Sequence, residues 1–219
     1  MNNIWGLIAS YVFIFVIIGI STVLQKKGLL KDEGARKFIQ IGVSNWWIIA
    51  MIFFDSVYFA MIPPITFIIL NYASYKMNLI KSMERGGQGN LGTVYFPISL
   101  LILVLLTFTD VIGASPYMGA IGILIMGYGD GLAAVIGKKY GKRSLPFGKS
   151  LEGSITMFIA SFIVSFVLIF IYNDFITALW IGLAISVVAT LVELYTPKGL
   201  DNLSVPLLTA VLAFILLLI

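Results

Sequence analysis

The chain has 219 residues, of which 60% are hydrophobic and only 11% are charged, and its mean hydropathy is +1.04. A soluble domain carries roughly a quarter charged residues, so this composition predicts an integral membrane protein. The chain contains no Cys and no His, which excludes disulfides, thiolate nucleophiles, imidazole bases and metal sites built on Cys or His. The net charge of +4 then indicates membrane topology rather than binding to nucleic acid.

Apolar stretches of about 20 residues are long enough to cross the hydrocarbon core as helices. Cutting the chain at its charged clusters predicts an all-α, polytopic fold of about eight transmembrane helices in a single transmembrane domain, 1–219. The first helix has no positively charged leader, so we expect it to be retained rather than cleaved as a signal peptide. The predicted segments are 4–25, 38–54, 56–75, 92–109, 111–128, 154–172, 175–193 and 204–219. We expect Pro63-Pro64 to kink or break the third of them.

The basic residues predict which way the chain is oriented. All 14 Lys and Arg residues fall in alternate loops, at about 26–37, 76–91, 129–153 and 194–203. Because cytoplasmic loops are enriched in Lys and Arg, these four loops are predicted to face the cytoplasm and both termini to face outward. The opposite loops contain only the acids Asp55, Asp110 and Asp174. The chain is therefore expected to be a multi-pass protein of the cytoplasmic membrane.

The third of these basic loops is also the richest in polar residues. Residues 127–153 include seven glycines and five cations, together with the acids Asp130 and Glu152. Closely spaced glycines let backbone amides approach a ligand, and cations beside them suit phosphate oxygens. Since carboxylate oxygens suit Mg²⁺, the pattern predicts a nucleoside triphosphate site. The alternative is a loop in which cations only set topology and glycines end helices. The spacing does not match a Walker A motif, so a P-loop fold is not expected.

Two further polar stretches allow two interpretations each. Residues 81–92 contain four glycines with Glu84 and Arg85; they form either an anion-binding nest or a flexible turn, and composition favours the turn. Asp201 and Asn202 precede a helix, where they serve as an N-cap or supply two oxygen ligands to the same cytoplasmic site.

The motifs in chain order resemble a known family, the polyprenol kinases. The resemblance is carried by Glu84-Arg85 with the following glycines, Gly129-Asp130-Gly131, Lys149-Ser150-Leu151-Glu152-Gly153 and Asp201-Asn202. That family contains dolichol kinase, phytol kinase and the CTP-dependent diacylglycerol kinase, and is distantly similar to phosphatidate cytidylyltransferase. The similarity extends from Arg36 to Pro206. It implies CTP as the phosphoryl donor, Mg²⁺ as cofactor and a membrane-borne lipid alcohol as acceptor.

One position departs from the family pattern. The family often has a His close behind an Arg-Lys pair, where this chain has Gln40 after Arg36-Lys37. Glutamine does not titrate, so a base role at this position would be absent here or taken by a carboxylate. A hydrogen-bond donor role could be kept.

The resemblance and the residues together predict the site. We expect phosphoryl transfer at the cytoplasmic interface, where the protein positions the reactants and neutralises phosphate charge. Asp130, Glu152 and Lys149 are predicted to be catalytic, with Asp130 orienting or deprotonating the acceptor hydroxyl. The predicted magnesium ligands are Asp130, Glu152 and Asp201. The predicted nucleotide and phosphate contacts are Gly129, Gly131, Lys138, Lys142, Arg143, Glu84, Arg85 and Asn202.

Two other functions, a cytidylyltransferase and a transporter, are alternatives to the kinase. A cytidylyltransferase also uses CTP and Mg²⁺ but transfers CMP to a phosphorylated lipid, and its usual His-Gly-Gly signature cannot occur in a chain without His. A transporter fits eight helices, but the ionisable residues cluster at one face rather than at the midplane. The sequence leaves open which alcohol is the acceptor (dolichol, a shorter prenol or diacylglycerol), whether ATP replaces CTP, and whether the chain forms a homo-oligomer.

Overall fold

The computed structural model describes residues 2–77, 91–109, 112–197 and 199–218. The fold of these residues is all-α, as predicted, apart from one hairpin of two-residue strands. The helices are α1 (Asn2–Lys26), α2 (Asp32–Ser44), α3 (Trp46–Phe53), α4 (Val57–Ala60), α5 (Ile62–Met77), α6 (Gly92–Thr107), α7 (Pro116–Leu124), α8 (Gly131–Tyr140), α9 (Leu151–Tyr172), α10 (Phe175–Tyr195) and α11 (Asp201–Leu218). A π-helical segment (Ile125–Asp130) joins α7 to α8, and strands β1 (Ser144–Leu145) and β2 (Lys149–Ser150) flank a 3₁₀ turn (Pro146–Gly148).

The predicted apolar segments fall on helices. Within the described ranges, six stretches are long and apolar enough to cross a membrane: Asn2–Lys26, Val57–Met77, Pro116–Tyr140, Leu151–Tyr172, Phe175–Tyr195 and Asp201–Leu218. The remaining two predicted segments are α6, which is apolar but has 16 residues, and α2 with α3, which are separated at Asn45. The polytopic membrane fold is confirmed, whereas the count of eight spans and the outward termini stay predictions.

Three prolines account for local features of α5 and α6. The predicted interruption at Pro63-Pro64 falls at Met61, and both prolines occupy the first turn of α5, where an N–H is not needed. Inside α6, Pro97 cannot donate to the carbonyl of Thr93. The side-chain amide of Asn71 on α5 donates to that carbonyl instead, at 2.8 Å. A neighbouring helix thus satisfies the backbone group that the proline leaves open.

The helix formed by α7, the π-helical segment and α8 lies at the centre of the molecule. Of its most apolar 18 residues, 72% are buried, against 17% for α1. It contacts α2, α9 and α11. The predicted loop over 129–153 is wrong in its first part, because this central helix continues to Tyr140. Similarly, α2 begins at Asp32, inside the predicted loop 26–37.

Candidate functional site

A buried ion pair joins α2 to the π-helical segment. The ammonium of Lys37 donates to a carboxylate oxygen of Asp130, and the two residues are only 1% and 3% exposed. Lys37 lies in the second turn of α2, and Asp130 is the last residue of the π-helical segment. Ionisable residues inside an apolar helical bundle are costly unless paired, and they mark functional sites. This pair is therefore the first element of the candidate site.

Gln40 completes a triangle of hydrogen bonds with this pair. Its Oε1 accepts from Lys37 Nζ at 2.8 Å, and its Nε2 donates to Asp130 Oδ2 at 2.7 Å. Nε2 also lies 3.2 Å from the carbonyl oxygen of Met126, to which it donates. A neutral amide is both donor and acceptor, so Gln40 fixes the orientation of the Asp130 carboxylate without adding charge.

The β1–β2 hairpin positions a second lysine. Phe147 and Gly148 take left-handed φ angles of 58° and 70°, which closes the turn and places Leu145 opposite Lys149. Ser150 then caps α9 by accepting a hydrogen bond from the Gly153 N–H at 3.2 Å. The hairpin and the cap together hold Lys149 at the start of α9.

Lys149 meets carboxylates from two other helices. Its ammonium pairs with Glu193 near the end of α10, and its Nζ lies 3.9 Å from Asp201 Oδ2 at the start of α11. Glu193 is 3% exposed and Asp201 is 2% exposed. The beginnings of α9 and α11 and the end of α10 therefore converge on one cation.

A cavity of about 420 Å³ lies between these two ion pairs, within the size range of small-molecule sites. We call it the polar cavity; it is lined by Glu33, Asp130, Ala133, Ala134, Gly137, Lys138, Gly148, Lys149, Ser150, Gly153, Ser154 and Glu193. The buried Oγ of Ser154 has no hydrogen-bond partner among the described residues. Lys138 likewise makes no ion pair with any residue that the structure describes. Both groups are thus available to a ligand.

The polar cavity combines donors for an anion with carboxylates that can accept a proton. The N-terminus of α9 borders it through Ser150 and Gly153, and backbone N–H groups at a helix N-terminus favour phosphate oxygens. Lys138 and Lys149 supply positive charge to the same space, and Asp130 supplies a carboxylate on its wall. The arrangement suits transfer of a phosphoryl group to a hydroxyl.

Comparison with known proteins identifies the family. The chain is 30% identical over 213 residues to the phytol kinase of Synechocystis sp., which covers 95% of this chain and 89% of the relative. The chain belongs to the phytol kinase family. It is also 30% identical to phytol kinase 1, chloroplastic, of Arabidopsis thaliana, covering 88% of this chain and 69% of the relative. A probable phytol kinase 1, chloroplastic, of Oryza sativa subsp. japonica is 31% identical, with 88% and 67% covered. No family model matches the chain, and no solved structure matches it.

This assignment confirms the predicted resemblance to the polyprenol kinases. Of the predicted site residues, Asp130, Lys138 and Lys149 line the polar cavity of this phytol kinase family member. Asp201 lies beside Lys149, and Asn202, the next residue, lines a different cavity. Glu84 and Arg85 lie outside the described residues.

Other predicted site residues are placed elsewhere in the family member. The carboxylate of Glu152 accepts hydrogen bonds from the backbone N–H groups of Lys142 at 3.0 Å and Arg143 at 3.5 Å. None of these three lines the polar cavity, and the side chains of Lys142 and Arg143 are exposed. The structure therefore shows Glu152 ordering the turn after α8 rather than lying with Asp130.

The two glycines beside Asp130 lie in helix contacts. A Cβ on Gly129 would be 2.7 Å from Met157 Sδ on α9, and a Cβ on Gly131 would be 2.5 Å from Ile41 Cγ1 on α2. Both distances are under 3.0 Å, so a side chain at either position would force the facing Met157 or Ile41 side chain to shift. The structure gives these glycines a packing role within a continuous helix.

The structure brings several residues to the site that the sequence motifs do not mark. In the sequence, Lys37 belongs to a basic loop that indicates topology, and Glu193 is the last residue of a predicted apolar segment. A carboxylate within an apolar segment is itself a signal of function, and Glu193 could have been found by that rule. Glu33, which lines the polar cavity, and Ser154, with its unpartnered hydroxyl, have no comparable signal in the sequence.

Proposed function

We propose that this protein is a lipid alcohol kinase that transfers the γ-phosphoryl group of CTP to a long-chain prenol such as phytol. The observation that carries the proposal is the placement of Asp130, which is paired with Lys37, on the wall of a cavity that Lys138 and Lys149 also line. Family membership supports the same class of reaction, because the relatives are named phytol kinases. CTP as donor follows from the resemblance to polyprenol kinases.

In the proposed reaction, the phosphates occupy the polar cavity. Lys138 and Lys149 bind phosphate oxygens, and the Ser154 hydroxyl with the N–H groups at the start of α9 donates to them. Of these groups, Lys149 is already held by Glu193 and Asp201, so it is fixed in position before the nucleotide binds. Preorganised positive charge of this kind is the main means by which a protein accelerates phosphoryl transfer.

Asp130 acts on the acceptor. The lipid hydroxyl oxygen forms a bond to the γ-phosphorus while the bond from that phosphorus to the β–γ bridging oxygen breaks, and CDP leaves. The hydroxyl proton passes to the Asp130 carboxylate. Lys37 and Gln40 hold that carboxylate in a fixed orientation through their hydrogen bonds.

The charges in the polar cavity fit a nucleotide accompanied by Mg²⁺. Its wall carries three carboxylates (Glu33, Asp130, Glu193) and two lysines, so a triphosphate adds negative charge to a site that has no excess of cations. Among the described residues, no group of three acidic side chains is close enough to form a metal site in advance. Mg²⁺ is commonly held by one or two carboxylates together with substrate phosphates. Asp130 and Asp201 are the carboxylates we assign to it, and the ion would neutralise charge on the phosphate oxygens.

Localisation follows from the same proposal. The polar cavity lies at the ends of the helices that adjoin the basic loops, so we place it at the cytoplasmic face of the cytoplasmic membrane, in one transmembrane domain. A water-soluble nucleotide then reaches the site from the cytoplasm, and the alcohol reaches it from the bilayer.

The test is an assay of the purified protein with phytol, a dolichol-type polyprenol and diacylglycerol, each with CTP or ATP labelled in the γ-phosphate. We expect label to appear on phytol with CTP. Label released as pyrophosphate would instead indicate a cytidylyltransferase, and no lipid-dependent turnover with any alcohol would contradict the proposal.

A matched pair of lysine variants tests the assigned cavity. Lys149→Gln removes the cation that faces the cavity, and we expect the KM for the nucleotide to rise by about 10-fold to 100-fold, the value of a charge-assisted hydrogen bond. Lys139→Gln is the control, because Lys139 lies on α8 with its ammonium 5.0 Å from the ring of Tyr140 and is exposed. Equal effects of the two substitutions would contradict the assignment of the polar cavity to the nucleotide.

A further inference from the structure

A second, apolar cavity lies on the other side of Gln40. It is narrow, about 80 Å³, and we call it the apolar cavity. Side chains of α1, α2, α5 and α6 line it, including Ile18, Val43, Phe67, Phe96 and Leu100. Ile18, Val43 and Phe67 are only half-buried, so the cavity reaches the outer surface of the helices. This surface is the one that a bilayer would cover.

A few polar residues line the apolar cavity, although most of its lining is hydrocarbon. They are Arg36, Gln40, Asn71, Thr93 and Asn202. An apolar space with a few convergent polar groups is the usual form of a small-molecule site, in which the polar groups fix the orientation of the ligand.

Three of these polar residues, Arg36, Gln40 and Asn202, connect the apolar cavity to the polar cavity. Gln40 donates to Asp130, which lines the polar cavity. Arg36 pairs with Glu33, which also lines the polar cavity. Asn202 follows Asp201, whose carboxylate lies 3.9 Å from Lys149 Nζ. The two cavities therefore meet at a partition made of paired polar residues.

Two of the polar residues that line the apolar cavity have unused hydrogen-bonding capacity. The Nε of Arg36 is buried and has no hydrogen-bond partner among the described residues. In α11, Pro206 has no N–H to donate to the carbonyl of Asn202, four residues earlier. Both residues line the apolar cavity, so a buried donor and a carbonyl without its helical donor adjoin the same space.

We propose that the apolar cavity holds the hydroxyl-bearing end of the acceptor alcohol, with its oxygen at the Gln40–Asp130 contact and its tail leaving towards the bilayer. This inference rests on the proposed kinase function and adds a specificity rule. A cavity of about 80 Å³ admits a single slender chain end but not a branched headgroup. The protein therefore selects a prenol over diacylglycerol by the shape next to the hydroxyl, and is tolerant of the length of the tail.

Val43 is the residue at which to test this rule, because it lines the apolar cavity and lies one turn from Gln40 on α2. In Val43→Phe the larger ring fills the cavity. We expect the KM for short and long prenols alike to rise by about 10-fold or more, as for a hydrophobic pocket that loses room for part of its ligand. The KM for CTP should stay unchanged.

Val187→Phe is the matched control. It makes the same substitution on α10 at a side chain that is 47% exposed and lines neither cavity. A second variant, Val43→Ala, enlarges the apolar cavity with little risk to folding, and we expect it to reduce the discrimination against diacylglycerol.

The outcomes separate the inference from the function on which it rests. If the wild-type protein phosphorylates no lipid alcohol, the kinase proposal fails. If it phosphorylates prenols and both Val43 variants keep wild-type KM values and wild-type selectivity, only the assignment of the apolar cavity is overturned. A Val43→Phe effect that depends on tail length would likewise overturn it, because the tail is assigned to the bilayer.

Discussion

The two ends of the helical bundle use carboxylates in different ways. At the end with the polar cavity, Asp130 and Glu193 are buried and each is paired with a lysine. At the opposite end, Asp174 is exposed and accepts hydrogen bonds from the backbone N–H groups of Ile176 at 2.9 Å and Thr177 at 3.1 Å, which caps α10. Asp55 is also exposed there, and its side chain accepts a hydrogen bond from Asn3.

This difference indicates what each end contributes. Exposed carboxylates that accept from backbone N–H groups stabilise helix ends, and water compensates if they are lost. Removing one partner of a buried ion pair leaves the other charge buried and unpaired, which lowers stability. Charge removed from the cavity end should therefore impair both activity and stability, whereas charge removed from the opposite end should affect only stability.

The largest effect is expected for Asp130→Asn. Asparagine can still accept hydrogen bonds from Lys37 and Gln40 but cannot take a proton from the acceptor, so turnover should fall by about 10²-fold to 10⁴-fold. The assay is transfer of labelled γ-phosphate to phytol, with the thermal midpoint measured on the same sample. Asp55→Asn removes one carboxylate from the opposite end and should leave turnover intact. If both variants lose or keep activity together, the distinction between the two ends is wrong.

A smaller loss is expected when Gln40 is replaced. Gln40→Leu removes the donor to Asp130 and Met126, and turnover should fall by about 10-fold, equivalent to roughly one net hydrogen bond. Gln40→His keeps a ring N–H that can donate to Asp130 and should restore most of the turnover. Because imidazole titrates near pH ~6.5, the pH–rate profile of this variant should acquire a limb that the wild type lacks. Failure of histidine to restore activity would argue against a positioning role for Gln40.

Gly131 tests whether the glycines next to Asp130 serve helix packing or nucleotide binding. Gly131→Ala would place a Cβ 2.5 Å from Ile41 Cγ1, and we expect it to lower the free energy of unfolding by about 1–3 kcal/mol. The KM for CTP of the folded protein should not change. Gly19→Ala is the control, since a Cβ there meets nothing within 4 Å. If Gly131→Ala raises the KM for CTP without lowering stability, Gly131 contacts the nucleotide and its packing role is wrong.

The smallest effect is expected for Asp174→Ala. The hydroxyl of Thr177, followed by the backbone N–H groups, holds the pKa of the Asp174 carboxyl below its usual value. A carboxyl whose pKa is lower in the folded state stabilises the fold above its unfolded pKa of about 3.9 and loses that contribution as the pH falls through the folded value. The variant should therefore have a slightly lower thermal midpoint at neutral pH, with the difference shrinking below about pH 4. Lipid alcohol kinase activity should be unchanged, and Asp174→Ser, which can still cap, should recover the midpoint.

The membrane fold could be predicted because hydropathy and charge are local properties of the chain. The positions of Asp130, Lys138 and Lys149 could be predicted for a similar reason, since glycines and cations in one stretch suit phosphate. The helical course of residues 129–140 could not. It depends on Met157 and Ile41, which come from distant segments and pack directly on Gly129 and Gly131.

The ion-pair partners within the site could not be predicted from the sequence either. Lys37 and Asp130 are 93 residues apart, and Lys149 and Glu193 are 44 apart. A lysine near the end of an apolar segment has the same sequence context whether its side chain is exposed in a cytoplasmic loop or buried between the helices. Glu152, in contrast, was predicted to join Asp130 because of its place in the motif, and its short-range contacts with the backbone at Lys142 and Arg143 take it to the turn instead.

The π-helical segment that ends at Asp130 makes the site sensitive to the length of the chain as well as to its composition. Each residue turns an ideal α-helix by about 100°, and a π-helical segment accommodates an extra residue without breaking the rod. Deleting one residue between Ile125 and Gly129 would rotate α8 relative to α7 about the helix axis. Asp130 and Lys138 would remain in phase with each other, but the contacts of α7 with α11 and those of α8 with α9 could no longer be satisfied at once. A substitution along this stretch changes one side chain and its contacts. A deletion or insertion of one residue there would instead disrupt either the packing of α7 on α11 or the packing of α8 on α9.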